Sequence, residues 1–259
     1  MILTLTMNPA VDIGYTVDTL KIDTVNRTKK VSKTPGGKGL NVSRVLKQLG
    51  SPVLATGLLG GHIGSFIKEK LGEVGLQNDF YPIQSETRNC IAILHEGLQT
   101  EILEAGPTIT PEEQAGFLAH FENLLKEVDL ITISGSLPSG MDDDLYATII
   151  EKAANANVPV LLDTSGKTLK IALEAATKPA LIKPNQEELA GLLGVPEATT
   201  VEELKEQLNS PLFDGVDWVV VSLGSKGALA KHEGVFYRVN IPKVNAVNPV
   251  GSGDSTIAG

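Results

Sequence analysis

Short apolar runs alternating with helical stripes constrain this chain more than any other feature. "DLITIS" (129–134), "VPVLLD" (158–163) and "PALIKP" (179–184) are each followed by a helical pattern. Runs of that length without polar alternation belong to strands buried on both faces, as in a parallel sheet covered by helices. "MILTLT" at the start, "PVLATGLLG" (52–60) and "DWVVVSLG" (217–224) extend the series. Val42, Val45, Leu46 and Leu49 recur on one helix face that Gly50 ends, and Ile63, Phe66, Ile67 and Leu71 make a second stripe. Thr110-Pro111-Glu112-Glu113 is a capping box with proline at the first helical position, which predicts a helix through Phe117, Phe121 and Leu125. The expected fold is α/β: a doubly wound, mostly parallel sheet flanked by helices, with ligands at the carboxyl ends of its strands.

Two stretches, 10–34 and 84–104, alternate without intervening helices. "RNCIAILHEGLQTEILEAG" (88–106) predicts a hairpin turning near Glu96-Gly97. These strands are expected to form a small sheet standing off the main one. Neither a repeat nor a low-complexity linker interrupts residues 1–259, so they read as one domain carrying a flap.

The net charge of −9 argues against nucleic acid or an anionic membrane as partner, so a positive field for an anionic ligand has to be local. Cys90 is the sole cysteine, which excludes an intrachain disulfide and a cysteine-built zinc site and fits a reducing, cytoplasmic setting. His62, His95, His120 and His232 show no metal-ligand spacing. "MILTLTMNPAVD" lacks the basic start of a signal peptide, and no apolar run reaches the ~18–20 residues that span a bilayer.

Several glycine motifs are decoys. "TSGKT" (164–168) has the Gly-Lys-Thr of a P-loop, but Leu161 stands where that loop needs glycine. "GLLGGHIG" (57–64) fails the dinucleotide pattern, and Gly57, Gly60, Gly61 and Gly64 read as turn and close-packing residues. "TPGGKGLNVSRVL" (34–46) differs: Gly36 and Gly37 let backbone approach a ligand at a helix start, with Lys38 and Asn41 one turn apart. Free amides, a cation and an amide side chain suit a polar anion, although a glycine turn with a solvated Lys38 accounts for the stretch equally. In "NPVGSGDST" (248–256) the amides of Gly251, Ser252 and Gly253 can surround an anion. Asp254 beside them is either a helix cap or a base that takes a hydroxyl proton during phosphoryl transfer. Asn185 and Glu188 in "KPNQEEL" (183–189) are either a capped surface helix or oxygen ligands for a hard cation.

Together "PGGKGLNVSRVL", "SGSLPSG" (134–140), "KPNQEEL", "VVVSLG" (219–224) and "NPVGSGDST" resemble, in order and spacing, the ribokinase-like, phosphofructokinase-B family of sugar kinases. The resemblance runs from Met1 to Gly259. Within the family, "TRNCIAILHEG" (87–97), "FYRVNIP" (236–242) and "NPVGSGDST" look most like the tagatose-6-phosphate kinases of the lactose pathway. The resemblance implies that MgATP phosphorylates the C1 hydroxyl of tagatose 6-phosphate. Fructose 1-phosphate is the substrate of the sister branch, and a non-catalytic sugar-phosphate sensor would be expected to lack Asp254. Asp254 is implied as the base, with Gly251, Ser252 and Gly253 as the anion hole for the phosphoryl in flight. Asp12, Gly36, Gly37, Lys38 and Asn41 are implied to hold the sugar, with Arg88 and Arg27 on its existing phosphate. Lys183, Asn185, Ser222 and Gly224 are implied at the nucleotide, with Asn185 and Glu188 placing Mg2+ through water. The strands outside the alternating pattern correspond to the family's lid, implying a homodimer. Only five residues follow Asp254, too few for a self-supporting helix, so the expectation is a piece of a longer enzyme with a poorly supported anion hole.

Overall fold

The computed structural model describes residues 1–242 and 251–259. The first half runs β1 (Ile2–Thr6), β2 (Ala10–Thr16), β3 (Lys30–Gly36), α1 (Lys38–Gln48), β4 (Val53–Gly60), α2 (Gly61–Glu73), β5 (Gln77–Asn78), β6 (Tyr81–Ile83), β7 (Arg88–His95), β8 (Leu98–Leu103) and α3 (Pro111–Leu124). The second half runs β9 (Leu130–Ser134), α4 (Leu145–Asn155), β10 (Val160–Asp163), α5 (Gly166–Glu174), β11 (Leu181–Ile182), α6 (Gln186–Leu193) and α7 (Val201–Leu208). It continues with β12 (Trp218–Ser222), β13 (Ala228–His232), β14 (Val235–Val239) and α8 (Ser252–Ala258).

Among the described residues ten strands form one sheet in the order β14-β13-β12-β11-β10-β9-β1-β4-β5, with β6 also on β4. From β12 through β4 the pairings are parallel, and β13 and β14 add an antiparallel hairpin at one edge. Leu3, Leu5, Ile131, Ile133, Leu162 and Ile182 are fully buried, as strands covered on both faces require. Phe117 and Phe121 of α3 and Tyr146, Ile149 and Ile150 of α4 belong to the same core. The capping box at Thr110 is formed: its side chain accepts from the Glu113 amide, and the Glu113 carboxylate accepts from the Thr110 amide. Among the described residues no helix is long and apolar enough to cross a membrane.

A second sheet of four strands, β3-β2-β7-β8, pairs β2 with β7 in parallel and the rest antiparallel. Glu96 and Gly97 both take positive φ, 50° and 75°, at the tip of the β7–β8 hairpin, as a two-residue turn of that type demands. The register puts Asp12, Thr34, Cys90 and Leu103 on one face and Val11, Ile91 and Ile102 on the other. Val11 and Ile13 on the second face pack with Leu40 and with Ile67 and Leu71 of α2, which roots this sheet on the larger one.

The β13–β14 hairpin and α7, whose Thr200–Glu203 capping box is fully formed, had no counterpart in the predicted elements. Asn248, Pro249 and Val250 of the "NPVGSGDST" motif lie outside the described residues.

Candidate active site

Close packing at the end of β1 creates the site. A Cβ on Gly39 would lie 2.2 Å from Thr6 Oγ1 and 2.6 Å from the Leu5 carbonyl, so only glycine lets the first turn of α1 press against the strand end. Gly37, the N-cap at φ 112°, turns the chain into that helix. The neighbouring Gly36 answers to the lid instead: its missing Cβ would fall 2.2 Å from the Asp12 carboxylate. The glycines of "GLLGGHIG" serve packing; a Cβ on Gly57 would sit 1.9 Å from the Thr6 carbonyl.

Between the two sheets lies a cavity of about 620 Å3, a size suited to a small ligand. Asp12, Gly37, Lys38, Asn41, Arg88, Lys183, Asn185, Glu188, Ser222, Gly251, Ser252, Gly253 and Asp254 all line it. Gly36 lies beneath the Asp12 side chain, and Gly224 is just beyond Ser222; neither lines the cavity. Arg27 stands exposed in the β2–β3 connection and is not brought to the cavity of its own chain. A larger, open depression of about 790 Å3 lies at the amino-terminal ends of β9 and β10. Two of its charged side chains, Lys152 and Glu122, satisfy each other, so the converging chemistry is in the smaller cavity.

Asp254 is buried in the first turn of α8, two residues inside the helix whose N-cap is Gly251, and among the described residues no backbone amide is bonded to its carboxylate. Its Oδ2 accepts from Asn41 Nδ2 at 2.7 Å, across two helices. The helix is only 7 residues long, but Ile257, one turn after Asp254, packs with Val42 and Leu46 of α1 and Val53 of β4. The turn therefore has tertiary support that its length alone did not predict.

Lys183, at the end of β11, is buried and faces Asp163, at the end of β10, at 3.5 Å. A Cβ on Gly253 would lie 3.5 Å from Lys183 Nζ, so this ammonium stands against the Gly251–Gly253 turn. Burial pushes the Asp163 carboxyl above its ordinary range, opposed by Lys183 and Lys38 and reinforced by Asp254 and Glu188. Asp163 went unread in the sequence because it follows "VPVLL" as an ordinary strand end and precedes the P-loop decoy. Asn185 caps α6, accepting from the Glu188 amide at 2.8 Å while Glu188 Oε2 accepts from the Asn185 amide at 2.9 Å. Capping thus engages the single side-chain oxygen of Asn185 and one of the two oxygens of Glu188, and both residues line the cavity.

On the lid side, Arg88 donates Nε and Nη2 to the Asn8 carbonyl and Nη1 to the Glu104 carbonyl. Those bonds fix its guanidinium and leave two of its five N–H donors for another acceptor. Burial raises the Asp12 pKa, with Arg44 and then Arg88 pulling it down. Arg44 was not singled out in the sequence; its Nη2 donates to Asn41 Oδ1 and its Nη1 to the Pro35 carbonyl.

Residues 6–259 match the pfkB family of carbohydrate kinases. The fold is similar to that of a Staphylococcus aureus protein described as a candidate phosphofructokinase: 33% identity, TM-score 0.83, 100% of this chain and 83% of that one covered. It is also similar to phosphofructokinase-2 of Escherichia coli, solved with fructose 6-phosphate: 26% identity, TM-score 0.89, 99% and 84% covered. A Thermotoga maritima protein described as a candidate 1-phosphofructokinase matches at 29% identity and TM-score 0.88, with 100% and 83% covered.

Proposed function

The chain belongs to the pfkB family of carbohydrate kinases, and on that premise we propose that it transfers the γ-phosphoryl group of MgATP to the C1 hydroxyl of D-tagatose 6-phosphate, giving tagatose 1,6-bisphosphate. Asp254 carries the reading: a buried carboxylate, inside the helix rather than at its N-cap, held by an amide in a cavity lined with cations. It takes the proton of the acceptor hydroxyl as the phosphoryl group arrives. The Gly251–Gly253 amides and the Lys183 ammonium offset the charge on the group in flight. Asp12, Lys38 and Asn41 hold the sugar hydroxyls, and the two spare N–H groups of Arg88 bind its fixed phosphate. Arg27 can join that phosphate only from outside its own chain's cavity. Lys183, Asn185 and Ser222 form the nucleotide side, opposite the lid, with Gly224 just beyond the cavity wall.

Mg2+ would be held by Asn185 and Glu188, with Asp163 beside them, and would neutralise polyphosphate charge there. Among the described residues no group of three acidic, histidine or cysteine ligands gathers. That fits an ion bound through one or two carboxylates, substrate phosphates and water. Two copies pair through the lid, where Leu98 and Ile102 stand exposed on an edge strand. The sole cysteine fits a cytoplasmic setting.

A coupled assay with MgATP across tagatose 6-phosphate, fructose 6-phosphate and fructose 1-phosphate tests the substrate. Tagatose 6-phosphate is expected to give the highest kcat/KM. Fructose 6-phosphate, differing in one hydroxyl's orientation, should be weaker but used. A higher kcat/KM with fructose 1-phosphate would move the chain to the 1-phosphofructokinase branch, the second reading, which the Thermotoga neighbour favours.

A further inference from the structure

We infer that Arg44 is a positioning residue for phosphoryl transfer, locking the Asn41 amide so that its N–H points at Asp254. The inference rests on the kinase reading above. A primary amide has one acceptor end and one donor end. Arg44 Nη2 occupies the acceptor end, Asn41 Oδ1, and a guanidinium can only donate. The donor end is then directed outward, and Asn41 Nδ2 meets Asp254 Oδ2 at 2.7 Å. Without Arg44 nothing described holds the Asn41 oxygen, and the side chain is free to rotate away from the carboxylate. The other arm of the same fork, Nη1, holds the Pro35 carbonyl, in the final turn of lid strand β3. One planar group thus fixes the lid's exit, the amide and, through the amide, the base. A lysine cannot do this, because a point charge on a flexible stem lacks the fixed two-pronged geometry. Burial lowers the Arg44 pKa, and Asp12 and then Asp254 lie near enough to oppose that shift.

The test combines kinetics and crystallography on Arg44→Ala, Arg44→Lys, Asn41→Ala and Arg44→Ala/Asn41→Ala. Outer-shell partners that orient metal ligands typically cost about 10–100-fold when removed, and a loss on that scale is expected in kcat of the folded Arg44→Ala enzyme while KM for ATP stays nearly constant. In the Asn41→Ala background the Arg44 substitution should cost little more, because the two act in series. Arg44→Lys should recover thermal stability without recovering kcat, and it stands in if the alanine variant does not fold. The crystal structure of either Arg44 variant should show the Asn41–Asp254 bond broken. An intact Asn41–Asp254 bond, unchanged kcat, or fully additive losses would overturn the inference. If the wild type phosphorylates no sugar phosphate, the kinase reading fails, and the crystal structure still decides whether Arg44 holds that bond.

Discussion

In the ten-stranded sheet, Leu3, Leu5, Ile131 and Ile133 are fully buried, whereas in the lid Leu98, Ile102 and Leu103 stand 65, 56 and 60% exposed. Both are β-structure, but one is sandwiched between helices and the other has its outer half uncovered. Cooperative stability follows buried apolar contact, so the lid belongs to the low-stability end of this molecule. The division matches the chemistry assigned to each side. Asp254, Lys183 and Asp163 belong to the well-packed body, where small displacements are resisted. Asp12 and Arg88 belong to the four-stranded sheet, to which the proposal gives the sugar.

The sharpest way to break that comparison is Asp254→Asn. Removal of a general base typically costs about 10²–10⁴-fold, so kcat should drop by that much with nucleotide affinity nearly unchanged. Steady-state kinetics and calorimetric titration of ATP would show it. Activity within a few-fold of wild type would move the base away from the body.

Arg88→Ala probes the lid side. Losing charge-assisted hydrogen bonds worth roughly 1.5–3 kcal/mol should raise KM for the sugar phosphate on the order of 10–100-fold, with a smaller change in kcat. Part of that loss would come from the root of the lid, since Arg88 also ties Asn8 to Glu104. Wild-type enzyme that uses free and phosphorylated tagatose equally would remove Arg88 from phosphate binding.

Leu98→Lys/Ile102→Lys alters the lid face turned away from the cavity. Exposed substitutions usually change a single chain's stability by no more than about 0.5 kcal/mol, so the variant should still fold while light scattering reports a shift from dimer to monomer. An unchanged mass would place any interface elsewhere.

The smallest effect is expected from Asp12→Asn. Burial raises this pKa, so the folded carboxyl keeps its proton to higher pH than the unfolded one. Ionised Asp12 therefore costs stability above that window, and the cost disappears as pH falls through the raised pKa toward the ordinary value of 3.8. At pH 7 the variant should be at least as stable as wild type, with the difference closing in acid, while KM for the sugar rises. Thermal melts across that range check it; a variant less stable at pH 7 would show that Arg44 and Arg88 outweigh burial.

Local signals carried most of the fold. The Thr110 capping box, the stripe from Ile63 to Leu71 and the Glu96-Gly97 turn each depend on residues within one or two turns, and each is found as predicted. Arg44 was illegible for the opposite reason: the chain of bonds that defines it ends at Asp254, 213 positions beyond Asn41. Arg27 stands exposed outside its own chain's cavity, a placement its position in the sequence does not fix, because nothing local says which way the β2–β3 connection turns.

The bonds from Arg88 to the Asn8 carbonyl join residues 80 positions apart, at the foot of a parallel strand pair. A loop of that length costs on the order of 4 kcal/mol to close by the (3/2)RT ln n scaling, before any lid contact rewards it. The β2–β7 junction at the centre of the lid is therefore not a local folding event, unlike the β7–β8 hairpin beside it. During synthesis β2 and β3 must wait, unpaired with β7, until β4, α2 and the connection after them have emerged and docked. The recognition half of the cavity should be the last part of the amino-terminal region to assemble, and its edge strands the ones most in need of protection on the ribosome.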